Sequence, residues 1–154
     1  MTTPSERLDQ LGIALPAVPA PAGAYIPARR SGSLVFTAGQ VPLVDGKPAA
    51  LGKVGAELST EEAAGLAGIC ALNALAAIDA LVGIDAVAGI VKVVGFVASA
   101  PGFTDQPKVI NGASNLLGEI FGDAGRHARS AVGVAELPLG VPVEVELVVE
   151  LADS

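Results

Sequence analysis

Residues 90–98 constrain the fold more than any other segment, because they read Ile-Val-Lys-Val-Val-Gly-Phe-Val-Ala and are rich in β-branched residues. Alternate side chains of a β-strand point to opposite faces of the sheet. One predicted face carries Ile90, Val94, Phe96 and Ala98, and the other carries Val91, Val93 and Val97. A strand that is apolar on both faces is typical of a sheet that is covered on both sides.

The other predicted elements surround this strand in the order ββ, α, β, α, ββ. Ser59 and Glu62 form the capping box that begins a long helix, and Gly83 ends it. Apolar residues at helical spacing predict a second helix, which begins at Thr104 or Asp105 and ends in the glycine-containing stretch 122–125. The remaining predicted strands cover residues 24–27, 34–38, 130–134 and 141–151, and residues 5–11 are predicted to form a short helical piece.

We therefore predict an α+β fold in which two helices cover one face of a four- or five-stranded sheet. These helices leave the second apolar face uncovered, and symmetric association through the sheets is the simplest way to bury it. The 154 residues suffice for a single domain, which we place at 24–154. A lead segment at 1–23 precedes the domain, and Pro16, Pro19 and Pro21 prevent a continuous helix there.

Composition excludes several classes of protein. The formal net charge of −7 and the pI of about 4.5 disfavour a phosphate-backbone partner, so no nucleic acid is expected. A single cysteine and a single histidine exclude a cysteine zinc site and a multi-histidine metal centre, so no metal is expected. No uninterrupted apolar run approaches the ~18 residues of a membrane span, and no secretory signal is visible, so we expect a cytoplasmic chain with no membrane partner.

Two charged residues are candidates for chemistry. Arg129 directly precedes the predicted strand 130–134, where its planar guanidinium is suited to bind a carboxylate, and the alternative is an ordinary surface ion pair. Glu144 points away from the apolar face of the last strand. It is either a solvated carboxylate or, beneath a partner subunit, a group that orients water or moves a proton. No local motif supports a catalytic triad on the lone His127.

Three further residues, Tyr25, Asn111 and Cys70, have side chains that could take part in binding or catalysis. Tyr25 is most simply a wedge under the N-terminal lead. Asn111 lies early in the second helix, where asparagine is unfavourable, and this suggests a polar task. Cys70 lies on the apolar face of the first long helix, where a buried, unreactive thiol is favoured over a nucleophile.

Three ordered blocks resemble the signatures of one protein family. They are Ser-Gly-Ser-Leu-Val-Phe-Thr-Ala-Gly-Gln-Val-Pro at 31–42, Ala-Arg-Ser-Ala-Val-Gly-Val-Ala-Glu-Leu-Pro at 128–138 and Val-Glu-Val-Glu at 143–146. Together with Val-Lys at 91–92 and Val-Ile-Asn-Gly at 109–112, they resemble the RidA/YjgF family, the reactive-intermediate deaminases also labelled L-PSP endoribonucleases. The resemblance covers residues 24–152. It implies a chorismate-mutase-like fold with one mixed sheet, and a homotrimer with sites in clefts between subunits.

The resemblance also implies an activity and a set of site residues. The implied reaction is hydrolysis of short-lived 2-imino acids to 2-oxo acids and ammonia without a metal or cofactor, as in a 2-iminobutanoate/2-iminopropanoate deaminase. Arg129 matches the arginine that binds the substrate carboxylate, and Glu144 matches the glutamate that positions the attacking water. The residues that match the lining of the cleft are Tyr25, Gly39, Asn111 and Ala131, the last standing where many members carry cysteine.

Other functions stay open on the sequence alone. A regulatory trimer that binds a carboxylate metabolite without turning it over would need Arg129 and would tolerate loss of the acid at Glu144. Ribonuclease activity follows from the older family label, although the acidic charge disfavours it, and a chaperone-like role has no candidate site. The stretch Gly-Arg-His at 125–127 departs from the common pattern, so Arg126 and His127 are candidates for reshaping the cleft.

Overall fold

A five-stranded mixed sheet is the frame of the fold in the computed structural model, which describes residues 2–21 and 23–153. The elements are α1 (Pro4–Leu11), β1 (Ala28–Ser31), β2 (Leu34–Thr37), β3 (Leu43–Val44), β4 (Lys47–Pro48), α2 (Thr60–Val82), β5 (Val87–Ala98), α3 (Gln106–Phe121), β6 (Ala128–Val134) and β7 (Val143–Leu151). The sheet order is β1-β2-β7-β5-β6, with β6 parallel to β5 and the other neighbours antiparallel. The predicted α+β architecture is confirmed.

The first strand lies four residues later than predicted. Residues 28–31 form β1, and residues 24–27, where the strand was predicted, form none. Ser31 pairs with Leu34, so the turn between β1 and β2 consists of Gly32 and Ser33 alone. Gly32 has a φ of 60°. Glycine at the first position of a two-residue hairpin turn adopts the backbone twist that continues both strands, and this lets β1 reach the turn.

The capping box that predicts α2 is present. Ser59 Oγ accepts a hydrogen bond from the Glu62 backbone N–H at 3.1 Å, and the Glu62 carboxylate accepts one from the Ser59 N–H at 3.2 Å. The helix packs closely against α3, since a Cβ on Gly112 would collide with the carbonyl group of Ala64. Small residues therefore set the spacing of the two helices on the sheet.

The length and composition of α2 alone would permit a membrane span. Its 23 residues include a window with a mean hydropathy of 1.9, so the helix is long and apolar enough to cross a membrane, although no uninterrupted apolar run is present. More than half of that window, 56%, is buried within the fold. We interpret α2 as the central helix of a soluble fold, because its apolar face packs against the sheet.

The alternation of side chains along β5 is interrupted. The register against β7 shifts between Ile90 and Lys92. Ile90 consequently lies on the helix-covered face with Val93, and both are buried, whereas Val91 is exposed. The prediction that Ile90 shares a face with Phe96 is wrong, because an irregularity of this kind adds one residue and reverses the alternation on one side of it.

Within residues 2–21 and 23–153, no helix covers the second face of the sheet. The odd-numbered residues of β7 are buried under α2, as predicted, and its even-numbered residues lie on the uncovered face. Phe36, which pairs with Val148, is 44% exposed there, and Val132, which pairs with Phe96, is 43% exposed. These apolar side chains are the reason that association through the sheets stays our prediction.

The N-terminal lead is docked on the domain. The predicted short helix is confirmed as α1, and Asp85 holds its first turn by accepting hydrogen bonds from the Ser5 backbone N–H at 2.8 Å and from its hydroxyl at 2.6 Å. Leu8 is buried. Beyond α1, the partly buried Val18 packs against the core and lines a small cavity together with Ala77 and Leu81 of α2. The lead thereby reaches a cavity on the far side of the domain, described below.

Candidate functional site

Arg129 is held by one face of α3. It lies on the edge strand β6 and pairs with Val93 of β5. Its side chain therefore points to the helix-covered side of the sheet. Its Nη1 donates to Oδ1 of Asn111 at 2.7 Å and to Oγ of Ser114 at 3.2 Å, and Nη2 donates to the carbonyl oxygen of Pro107 at 3.3 Å. Because β6 begins two residues earlier than predicted, Arg129 lies within the strand and not before it.

The three acceptors follow from the helical repeat. Residues 107, 111 and 114 are separated by four and three positions, a spacing that places them on one side of a helix. Sequence reasoning identified Asn111 and missed Ser114. The same spacing is the signal that would have found it, since a serine three residues after Asn111 shares its face of the helix.

The guanidinium keeps donors for a ligand. Among the residues that the structure describes, no acidic side chain forms an ion pair with Arg129, so the alternative of an ordinary surface ion pair is not what is found. An arginine has five N–H donors, and the three bonds above leave Nε–H and one hydrogen of Nη2 without a partner in that part of the chain. Nε and Nη2 flank one edge of the planar group, where a carboxylate can accept two parallel hydrogen bonds.

Glu144 occupies the other side of the sheet. It pairs with Phe96, and its half-buried side chain lies on the uncovered face beside Gly39. A Cβ on Gly39 would lie 2.6 Å from Oε1 of Glu144, so only glycine leaves room for the carboxylate in this position. Burial raises the pKa of Glu144, and the neighbouring negative charge of Glu146 raises it further. A carboxyl group with a raised pKa exchanges protons more readily near neutral pH.

A cavity of about 570 Å³ adjoins Glu144. Its walls include Tyr25, Gly39 and Leu139, together with the end of the N-terminal lead at Pro19 and Pro21. The interpretation of Tyr25 as a wedge under the lead is wrong, because its side chain is 50% exposed and lines this cavity. Glu144 is the one charged residue among the described residues that line it. The cavity is consequently an apolar space with a single acid on its wall.

Replacing Glu144 by glutamine is expected to raise the free energy of unfolding at neutral pH. A pKa that is higher in the folded chain than in the unfolded chain lowers stability as the pH rises from the unfolded value to the folded value. Below the unfolded pKa both states hold the proton and the penalty is absent. Denaturant titrations of both chains at acidic and neutral pH measure this, with Glu150→Gln, an exposed neighbour on β7, as control. A gain of the same size at both pH values would contradict the origin that we assign.

The predicted site residues divide into two half-sites that one chain does not join. The arginine half-site contains Arg129 and Asn111, with Ala131 on the same side of β6 because it pairs with Gly95. The glutamate half-site contains Tyr25, Gly39 and Glu144. With β5 between β6 and β7 and a three-residue offset along it, the two Cα atoms at 129 and 144 lie roughly 14 Å apart, and their side chains leave opposite faces of the sheet.

Cys70 belongs to neither half-site. It is fully buried in α2, and its Sγ donates to the carbonyl oxygen of Val143 at 3.7 Å. Burial raises the pKa of the Cys70 thiol well above its usual range. The structure therefore agrees with the interpretation of this residue as an unreactive core thiol.

Similarity to known proteins identifies the family. A sequence model described as "YjgF/chorismate mutase-like, putative endoribonuclease" matches residues 5–151. The chain belongs to the YjgF family. Protein TCP17 of Trypanosoma cruzi is 45% identical to this YjgF chain over 147 residues, which cover 94% of this chain and 92% of that protein. The resemblance stated from the sequence blocks is thereby confirmed.

Solved structures of other YjgF proteins share the fold. A "putative endoribonuclease" from Shewanella oneidensis superimposes with a TM-score of 0.93 at 35% identity, covering 97% of this chain and 99% of that one. Escherichia coli TdcF, solved with bound serine, superimposes with a TM-score of 0.62 at 26% identity, covering 88% of this chain and 94% of that one. The chorismate-mutase-like fold is therefore shown for this YjgF chain.

Proposed function

We propose that this chain hydrolyses 2-imino acids to 2-oxo acids and ammonia at sites formed between two copies of the chain in a homotrimer. The observation that carries the proposal is the division of the site residues. An arginine with an unpartnered donor edge lies on one side of the sheet, and a carboxyl group with a raised pKa lies on the other. Each half-site holds half of what imine hydrolysis requires, so a second copy has to supply the rest.

The location of each half-site favours such a joint site. Arg129 lies on β6, which is the edge strand of the sheet, and a neighbouring subunit can approach it from the side. Glu144 lies on the uncovered sheet face, which carries the exposed Phe36 and Val132. Covering that face with another copy buries apolar surface. The same event brings the edge strand of one copy toward the glutamate of another.

The chemistry needs orientation more than a strong nucleophile. A protonated imine carbon is electrophilic, so water adds to it once the substrate carboxylate is held by Arg129. Glu144 accepts a proton from the water as the C–O bond forms, and then returns it to the amino group. The C–N bond then breaks as the carbinolamine oxygen forms the carbonyl. The hydroxyl proton passes to the Glu144 carboxylate and from there to the released ammonia, which leaves as ammonium. The raised pKa of Glu144 suits a group that accepts a proton and returns it in each of these two steps.

A structural relative supports the ligand class. TdcF was solved with serine, which carries the α-carboxylate that every 2-imino acid also carries. The endoribonuclease description of the family fits less well with this chain, because a net charge of −7 repels a phosphate backbone. A small carboxylate is thus the ligand that the charges favour.

The test is ammonia release in a coupled assay. A dehydratase that generates 2-iminopropanoate or 2-iminobutanoate is mixed with this protein, and we expect faster ammonia formation than with buffer. No acceleration across several amino-acid-derived imines would contradict the proposal. A different result would favour a carboxylate-binding regulatory protein. In that case a 2-oxo acid stabilises the protein against heat, the stabilisation depends on Arg129 and persists in Glu144→Gln, and no imine is hydrolysed.

Gly39→Ala is expected to lower kcat/KM for imine hydrolysis by about tenfold or more. The added Cβ would lie 2.6 Å from Oε1 of Glu144, so the carboxylate has to move away from its position. The fold should persist, because the displaced atoms are the end of a side chain. Gly65→Ala on α2 is the matched control, since its Cβ would meet nothing within 4 Å. Full activity in Gly39→Ala would show that the position of Glu144 is unimportant.

A further inference from the structure

A chain of hydrogen bonds connects the lone histidine to Arg129. His127 Nδ1 lies 2.7 Å from the carbonyl oxygen of Gly125, and His127 Nε2 lies 2.9 Å from Oγ of Ser114. The same Oγ accepts a hydrogen bond from Arg129 Nη1 at 3.2 Å. Two residues of the motif Gly-Arg-His-Ala-Arg at 125–129, His127 and Arg129, are therefore linked through Ser114 of α3.

When the imidazole of His127 is uncharged, the chemistry of these groups sets the direction of every bond. The Gly125 carbonyl only accepts, so the neutral imidazole carries its proton on Nδ1 and leaves Nε2 as an acceptor. The Ser114 hydroxyl then donates to Nε2, and its oxygen lone pairs are directed to the N–H of Arg129. The imidazole thus holds the Ser114 hydroxyl hydrogen on Nε2, away from the N–H groups of Arg129.

The surrounding backbone holds the histidine in place. Gly125 is buried, and a Cβ there would lie 2.6 Å from the carbonyl oxygen of Leu117, so the turn after α3 packs directly on the helix. His127 follows this turn and precedes β6. The backbone of His127 is consequently fixed between the end of α3 and the start of β6.

We propose that Ser114 and His127 are positioning residues that lock the guanidinium of Arg129 with its Nε and Nη2 edge free for a substrate carboxylate. The inference rests on the proposed function for the identity of the ligand. An arginine side chain has many rotamers, and fixing it before binding removes an entropic cost from the binding step. Of the two acceptors of Nη1, Asn111 is exposed and Ser114 is half-buried, so the Ser114 bond is the better shielded from competing water.

The test uses binding and turnover in the full-length protein. Calorimetry measures the Kd of 2-oxobutanoate, and the coupled ammonia assay separates KM from kcat. In Ser114→Ala and His127→Leu we expect Kd and KM to rise about tenfold while kcat changes by less than about twofold. Ser114→Thr keeps the hydroxyl, His127→Gln keeps an acceptor facing it, and both should recover most of the affinity. Asn115→Ala, exposed on the same helix, is the matched control.

A second measurement tests the geometry without any ligand. Because the chain has a single histidine, its ring ¹⁵N signals in an NMR spectrum belong to His127 without further assignment. We expect the Nδ1–H tautomer in the wild type, because the Gly125 carbonyl accepts from Nδ1. In Ser114→Ala we expect the same tautomer, with the Nε2 signal shifted by loss of the Ser114 hydrogen bond. The Nε2–H tautomer, or wild-type affinity in both Ser114→Ala and His127→Leu, would overturn the proposal. If the protein hydrolyses no imine, the proposed function fails, and the tautomer of His127 and the Kd values of the variants still test the positioning roles of Ser114 and His127.

Discussion

Arg129→Ala is expected to lower kcat/KM for 2-imino acid hydrolysis by about a hundredfold or more. Two charge-assisted hydrogen bonds to the substrate carboxylate are lost, and each such bond contributes about 1.5–3 kcal/mol. Among the described residues, the hydrogen-bond partners of the guanidinium are Asn111, Ser114 and the Pro107 carbonyl, and none of them carries a positive charge that could replace it. Initial rates of ammonia release across a range of substrate concentrations measure the effect.

Two comparisons make this result specific. Arg129→Lys keeps the charge but loses the planar pair of donors, so it should recover only a small part of the activity. Arg126→Ala removes an exposed arginine whose ion pair is a 3.9 Å contact with Asp123, and it should have little effect. A folded Arg129→Ala protein with near-normal kcat/KM would contradict the assignment of the carboxylate to this residue.

Mixing two inactive variants is expected to restore activity. Arg129→Ala retains the glutamate half-site, and Glu144→Gln retains the arginine half-site. If each site takes Arg129 from one subunit and Glu144 from the next, random co-assembly of equal amounts gives about one quarter of the sites both intact residues. Refolding the two variants together, followed by the ammonia assay, measures the recovered fraction.

A site built within a single chain predicts that the mixture stays inactive. Every subunit in the mixture carries one lesion, so a site built by a single chain stays inactive at every mixing ratio. The variants refolded separately and then combined without subunit exchange serve as the control. No recovery after verified co-assembly would contradict a site formed between subunits.

Local sequence signals predicted most of the fold because they act within a few residues. The capping box at Ser59 and Glu62 marks the start of α2, and the alternation of valine and glutamate marks the faces of β7. Both depend on near neighbours in the chain. The register of β1 and the irregularity in β5 depend on pairing with distant strands, and the pattern of single residues carried no sign of them.

The candidate site was predictable in its members but not in its arrangement. Arg129 and Glu144 were singled out by their places on the predicted strands, and the family blocks supplied their roles. The structure places them on opposite sides of the sheet, a fact that depends on strand order and register. The spacing of Ser114 from Asn111 places both on one face of α3, but the sequence alone does not show that this face lies beside Arg129 of β6.

A crystal structure of the assembled protein with a bound 2-oxo acid tests the central claim most directly. We expect the carboxylate of the ligand on Nε and Nη2 of Arg129 from one subunit, and its keto carbon facing the Glu144 carboxylate of a neighbouring subunit. A ligand bound to Arg129 with the Glu144 side chains of all subunits out of reach, or an assembly in which the two half-sites face solvent separately, would contradict the account.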